Sequence, residues 1–69
     1  MTEARARFGR RLKEARLGKG MTQAELSRLT GIAQPDVSQI ERGLANCTIE
    51  TMEKLAAAVN APLHQLLKP

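Results

Sequence analysis

Residues 22–43, TQAELSRLTGIAQPDVSQIERG, hold two short helical patterns on either side of one glycine, and nothing else in the 69-residue chain restricts its fold as much. Thr22 supplies a hydroxyl and Glu25, three residues on, a carboxylate. Each can bond a backbone N–H that the first helical turn leaves open, and Met21 and Leu26 flank the cap as a hydrophobic staple. Leu26 and Leu29 then give the helix its buried side. Gly31 accepts the left-handed backbone that ends a helix and turns the chain sharply.

The helix after the turn can be tested by its rotation. At about 100° per residue from Gln34, Ser38 falls near 40°, Arg42 near 80°, Pro35 near 100° and Gln39 near 140°. Ala33, Val37, Ile40 and Leu44 gather between about 240° and 300°, and Glu41 lies at the border near 340°. One side is therefore apolar and the other polar but almost uncharged. Pro35 sits in the first turn, where its missing N–H has no helical partner to lose. Asp36, near 200°, points away from the polar side; a carboxylate near a helix start is favoured by the dipole, and this role stands against base contact.

The same periodicity runs through the rest of the chain. Ala4, Phe8, Leu12 and Ala15 draw one stripe along a first helix that ends in Gly18-Lys19-Gly20. Thr48 caps a fourth helix with Met52, Leu55, Ala56 and Val59 on one side and Asn60 as its stop. Pro62 opens a last short turn or helix with Leu63, Leu66 and Leu67. The reading is all-α, five helices in one domain spanning 1–69. A chain of this length hides only about 60% of its unfolded surface, so the core is small, and Phe8 is its one aromatic residue. The C-terminal leucines serve as core, or in part as a self-association surface together with Leu44.

Cys47 is alone, so no disulfide can form within the chain, which fits a reducing cytosol. One cysteine and one histidine cannot supply a structural zinc site, and no cofactor is implied. No apolar run approaches the roughly 20 residues that span a bilayer, and the N-terminus lacks the pattern of a signal peptide. The expectation is a cytoplasmic protein. No nucleophile, base and orienting residue occur together, which argues against an enzyme.

Charge is uneven. Residues 1–19 hold Arg5, Arg7, Arg10, Arg11, Lys13, Arg16 and Lys19 against Glu3 and Glu14, a local excess of +5 in a chain of net +4. Such a stripe attracts polyanions and releases counterions from nucleic acid, or it is simply a solvated helix face.

Two helices joined by a glycine turn, the second polar outside, are what a helix-turn-helix at 22–42 needs to enter a major groove. The groove is about 12 Å wide and admits one helix, here about 34–42. Glutamine amides donate and accept together, which suits adenine, and arginine reaches phosphate or guanine. The chain also resembles the lambda-repressor-like domains, the Cro and phage-repressor or xenobiotic-response-element family, from Phe8 to Leu67. The stretches carrying the likeness are GMTQAELSRLTGIAQPDVSQIERG and TIETMEKLAAAVNAPLHQLL. The resemblance implies that Gln23 contacts a phosphate and braces Gln34. It implies that Gln34, Pro35 and Gln39 face base edges with Ser38 beside them, that Ala33 lies at a phosphate, and that Arg42 grips the backbone. It further implies a partly buried ion pair between Arg16 and Glu41. Pro35 and Ala33 depart from the polar residues common in relatives, and Asn46-Cys47-Thr48 replaces a common Pro-Ser pair.

Relatives act as dimers on near-palindromic operators with half-sites roughly 34 Å apart. A homodimer through Leu63, Leu66, Leu67 and Leu44 is therefore expected, acting as a transcriptional regulator or repressor on double-stranded DNA. A length of 69 residues leads us to expect no sensor domain, and in layout the chain resembles the controller proteins of restriction-modification systems. The alternative is an antitoxin or adaptor whose protein partner, a toxin or polymerase, is primary and whose DNA binding is secondary.

Overall fold

Most helix boundaries are set by local backbone chemistry. In the computed structural model, which describes residues 3–69, the order is α1 Glu3–Gly18, α2 Gln23–Thr30, α3 Gln34–Glu41, α4 Ile49–Ala58 and α5 Leu63–Leu66. No strand occurs among the described residues, in agreement with the all-α reading. Thr22 Oγ1 accepts from the Glu25 N–H at 3.0 Å, and Glu25 Oε1 accepts from the Thr22 N–H at 2.8 Å. This reciprocal pair closes the first turn of α2. The Thr22 backbone N–H, then its side chain, and lastly the charge of Arg28 hold the Glu25 carboxyl below its ordinary range. Gly31 ends α2 at φ 76° and donates to Ser27 O at 2.8 Å. A side chain at that φ would crowd its own carbonyl, which is why the turn takes glycine. Thr48 Oγ1 accepts from the Thr51 N–H at 3.1 Å to start α4, and Asn60, at φ 57°, stops it.

The core is built from the inward faces of all five helices: Phe8 and Leu12 of α1, Leu26 of α2, Val37 and Ile40 of α3, Leu55 and Ala56 of α4 with Val59 at its end, and Leu66 of α5. Four residues named from periodicity stand elsewhere. Ala4 is exposed in the first turn of α1. Leu29 is 60% exposed, because the inward face of α2 runs through Gln23, Leu26, Ser27 and Thr30. Ser27 Oγ donates to Ile32 O and Thr30 Oγ1 to Leu26 O at 2.8 Å, so both hydroxyls are satisfied where they turn inward. Ala33 and Leu44 are exposed, since the first is the N-cap of α3 and the second follows its C-cap Arg42; helical rotation does not extend beyond the helix.

α1 lies across α3 at close range. The approach requires Gly9: a Cβ there would stand 2.7 Å from Glu41 O and closer still to Ile40 O, both backbone atoms of α3. At the other end of the fold, α5 is held to α1 by arginines. Arg7 Nη1 donates to Leu67 O at 3.2 Å and Arg11 Nη2 to Pro69 O at 3.2 Å. Leu66 faces inward and is buried, which removes it from the expected self-association surface, while Leu63 and Leu67 pack at the core edge.

Gly9→Ala is expected to cost about 1–3 kcal/mol or more through overpacking against backbone that has little room to move, read as a lower urea midpoint with unchanged slope. A second outcome concerns acid. Because the Glu25 carboxyl is lowered in the fold, its contribution is present above the ordinary glutamate value of 4.5 and fades as the pH falls through the lower folded value. The melting temperature of wild type should exceed that of Glu25→Gln near neutrality, and thermal scans should show the gap closing in acid.

Candidate nucleic-acid interface

α3 has eight residues, and each has a side to face. Val37 and Ile40 are buried and fix the helix from behind. Gln34, Pro35, Gln39 and Arg42 are exposed in front, and Ser38 is half-buried between them. Pro35 stands in the first turn, where α3 has no side-chain cap because Ala33 carries no hydroxyl. Gln23, the first residue of α2, shares one shallow hollow with Gln34, Pro35 and Ser38. Asp36 lies off this strip, on a separate hollow with Ile32, Ala45 and Cys47. Burial pushes the Cys47 thiol up, against a weaker pull from the charge of Arg5.

Behind the strip is a buried polar knot. Arg16 Nε donates to Glu41 Oε2 at 2.7 Å and Arg16 Nη2 to Glu41 Oε1 at 3.0 Å, a two-pronged pair whose side chains are 7% and 1% exposed. Planar guanidinium matches carboxylate in this way, and each contact is charge-assisted. Arg16 Nη1 also donates to Met21 O at 2.8 Å, and Gln23 Nε2 donates to Glu41 Oε1 at 3.0 Å. One guanidinium thus ties α1, the α1–α2 connection and α3, and the carboxylate adds α2.

The Gln23 amide is therefore anchored on Glu41, and no direct bond to Gln34 holds it, although both line the same hollow. Sequence periodicity missed this bond; its only trace was the border position of Glu41. The basic stripe divides as well. Arg16 is consumed in the knot, and Arg7 and Arg11 turn to the end of α5, each near a helix neighbour, Glu3 at 3.9 Å and Glu14 at 3.7 Å. Arg10, Lys13 and Lys19 remain exposed. Among the described residues no cluster of His, Cys, Asp and Glu is arranged to hold a metal, and no helix is long and apolar enough to cross a membrane.

A capped α2, a glycine turn and a buttressed α3 with an outward polar strip define a helix-turn-helix protein. The chain belongs to the Helix-turn-helix family HTH_3, whose profile matches residues 12–66. It is 36% identical over 67 residues to a hypothetical transcription factor of Neisseria meningitidis serogroup B, covering 97% of this chain and 63% of the relative. It is 38% identical over 61 residues to the HTH-type transcriptional regulator SinR of Bacillus subtilis, covering 87% of this chain and 55% of SinR. The chain thus spans somewhat more than half the length of these curated relatives. The crystal structure of SinR, the master regulator for biofilm formation, in complex with DNA superposes with a TM-score of 0.82 at 37% identity, over 88% of this chain and 98% of that one. The restriction-modification controller protein C.Esp1396I, solved as a tetramer with its natural 35-base-pair operator, gives 0.87 at 26% identity, over 97% of this chain and 92% of that one.

Removing one side of the knot leaves a buried, unpaired charge. Glu41→Ala is expected to destabilise the fold by about 3–5 kcal/mol, comparable with the whole stability of a small domain, as read by chemical denaturation.

Proposed function

We propose that this protein is a sequence-specific, double-stranded DNA-binding transcriptional regulator that inserts α3 into the major groove. The observation that carries the reading is the exposed strip Gln34–Gln39–Arg42, held from behind by Val37 and Ile40 and by the Arg16–Glu41 pair. A reader helix must keep its outer side chains free while its axis stays fixed, and this one does both. Gln34 and Gln39 offer amides that pair with adenine, and Pro35 contributes apolar contact and shape. Gln23, at the start of α2, and Ala33, at the start of α3, lie beside the strip, where backbone phosphates pass. Arg42 at the end of α3 binds phosphate and positions the helix without reading sequence. Exposed Arg10, Lys13 and Lys19 add a diffuse attraction that weakens with salt. The likeness to SinR bound to DNA supports this reading.

The protein acts as a homodimer on a near-palindromic operator, since one α3 covers only one half-site. Leu44, 52% exposed, and Ile49, 57% exposed, flank the connection between α3 and α4 and are apolar surface that a second copy covers. Leu63 and Leu67 can contribute their open edges. The operator-bound tetramer of C.Esp1396I supports higher-order assembly on DNA.

Selection of duplexes from a randomised pool should return sites with two-fold symmetry. On the selected site Gln39→Ala should cost about 1–3 kcal/mol and blur base preference at one position per half-site. Arg42→Ala should weaken all duplexes alike and lower the salt slope. Unchanged affinity in both variants would refute the assignment of the strip.

A further inference from the structure

We propose that Glu41, which itself never reaches the surface, is a positioning residue for DNA contact: it fixes the Gln23 amide in the orientation that a backbone phosphate requires. This deepens the DNA-binding reading above and rests on it.

Three observations converge. The Glu41 side chain is 1% exposed, so any part it plays in binding must pass through another residue. Its carboxylate cannot turn, because Oε2 accepts from Arg16 Nε and Oε1 from Arg16 Nη2. Oε1 also accepts from Gln23 Nε2 at 3.0 Å, and among the described residues Gln23 both hydrogen-bonds to this pair and lines the open hollow beside Gln34 and Ser38.

The chemistry follows from the donor inventory. An ionised carboxylate only accepts, so it selects the nitrogen side of the Gln23 amide and rejects the oxygen side. The amide is thereby prevented from flipping. Its second N–H and its Oε1 are left for the hollow, the first suited to a phosphate oxygen and the second to an amide donor such as Gln34. Glutamine is a long side chain with many rotamers, and here its ordering is completed on folding and does not oppose binding. The buried ion pair thus belongs to the DNA-contact apparatus.

The test uses the duplex selected by the wild-type chain and a thermodynamic cycle. Arg16→Met with Glu41→Leu replaces the pair by apolar groups of similar volume, an exchange that leaves many folds as stable as before. Gln23→Ala is then measured by fluorescence anisotropy in both backgrounds. Loss of one bond to a charged group should weaken wild-type binding about tenfold, while the same substitution in the apolar background should change affinity less than about twofold. The apolar background alone should lose about tenfold with its melting temperature retained. Equal Gln23→Ala losses in both backgrounds would overturn the proposal, because Glu41 would then act only on stability.

A measurement on the unaltered chain covers the case in which the apolar variant does not fold. In side-chain amide NMR, one Gln23 Nε2 proton should exchange slowly with water before DNA is added, unlike those of Gln39. Equally fast exchange for both glutamines would also overturn the proposal. If Gln23→Ala is silent while Gln39→Ala weakens binding, the positioning role fails and DNA binding stands; if no duplex is selected, the underlying reading fails first.

Discussion

The buried pair of Arg16 and Glu41 is the contact on which the arrangement of the first three helices depends. Removing two charges from water is costly, and only full hydrogen bonding makes it tolerable. Here the guanidinium gives three donors to protein acceptors, and the carboxylate receives three bonds from Arg16 and Gln23. Such a knot has one satisfactory geometry, and small displacements of α1 or α2 against α3 would break it. A purely apolar interface between these short helices can pack as tightly, but it demands no such alignment of polar groups. The pair therefore supplies register where a core of nine apolar side chains among the described residues supplies cohesion.

Gly9 supplements this from the other side of the contact. Backbone of α1 meets the terminal carbonyls of α3 with no side chain between them. Close approach shortens the distance over which Arg16 must reach, so glycine packing and ion pair are two parts of one joint. α4 and α5 close the core beneath it, and the Arg7 and Arg11 contacts to Leu67 and Pro69 fasten the last turn back onto α1.

What could be read from the sequence was what is decided locally. The Thr22–Glu25 cap, the Gly31 turn, the Thr48 cap and the Asn60 stop each involve atoms within a few residues of one another, and their chemistry is visible in residue type. The inside and outside of α3 were also legible, because Val37 and Ile40 share one side of a true helix. Legibility ended where the helix did, at Ala33 and Leu44. It failed for Leu29 because hydropathy does not register that Ser27 and Thr30 can face inward once local carbonyls accept their hydroxyl protons. Gly9, the fastening of Arg7 and Arg11, and the Gln23–Glu41 bond depend on distances between elements far apart in the chain, and no periodicity encodes them. The Arg16–Glu41 partnership itself came from family resemblance, not from spacing.

The separation between front and back of α3 also bears on how such a module changes over generations. Gln34, Pro35, Gln39 and Arg42 stand in solvent, where exchange of one side chain for another moves stability by only about half a kcal/mol. The lock beneath them does not tolerate single exchanges, because removing either partner leaves the other charge buried and unpaired. Under the proposed reading, a lineage drifts to new DNA sites one outer residue at a time, while the chassis that presents those residues stays the same.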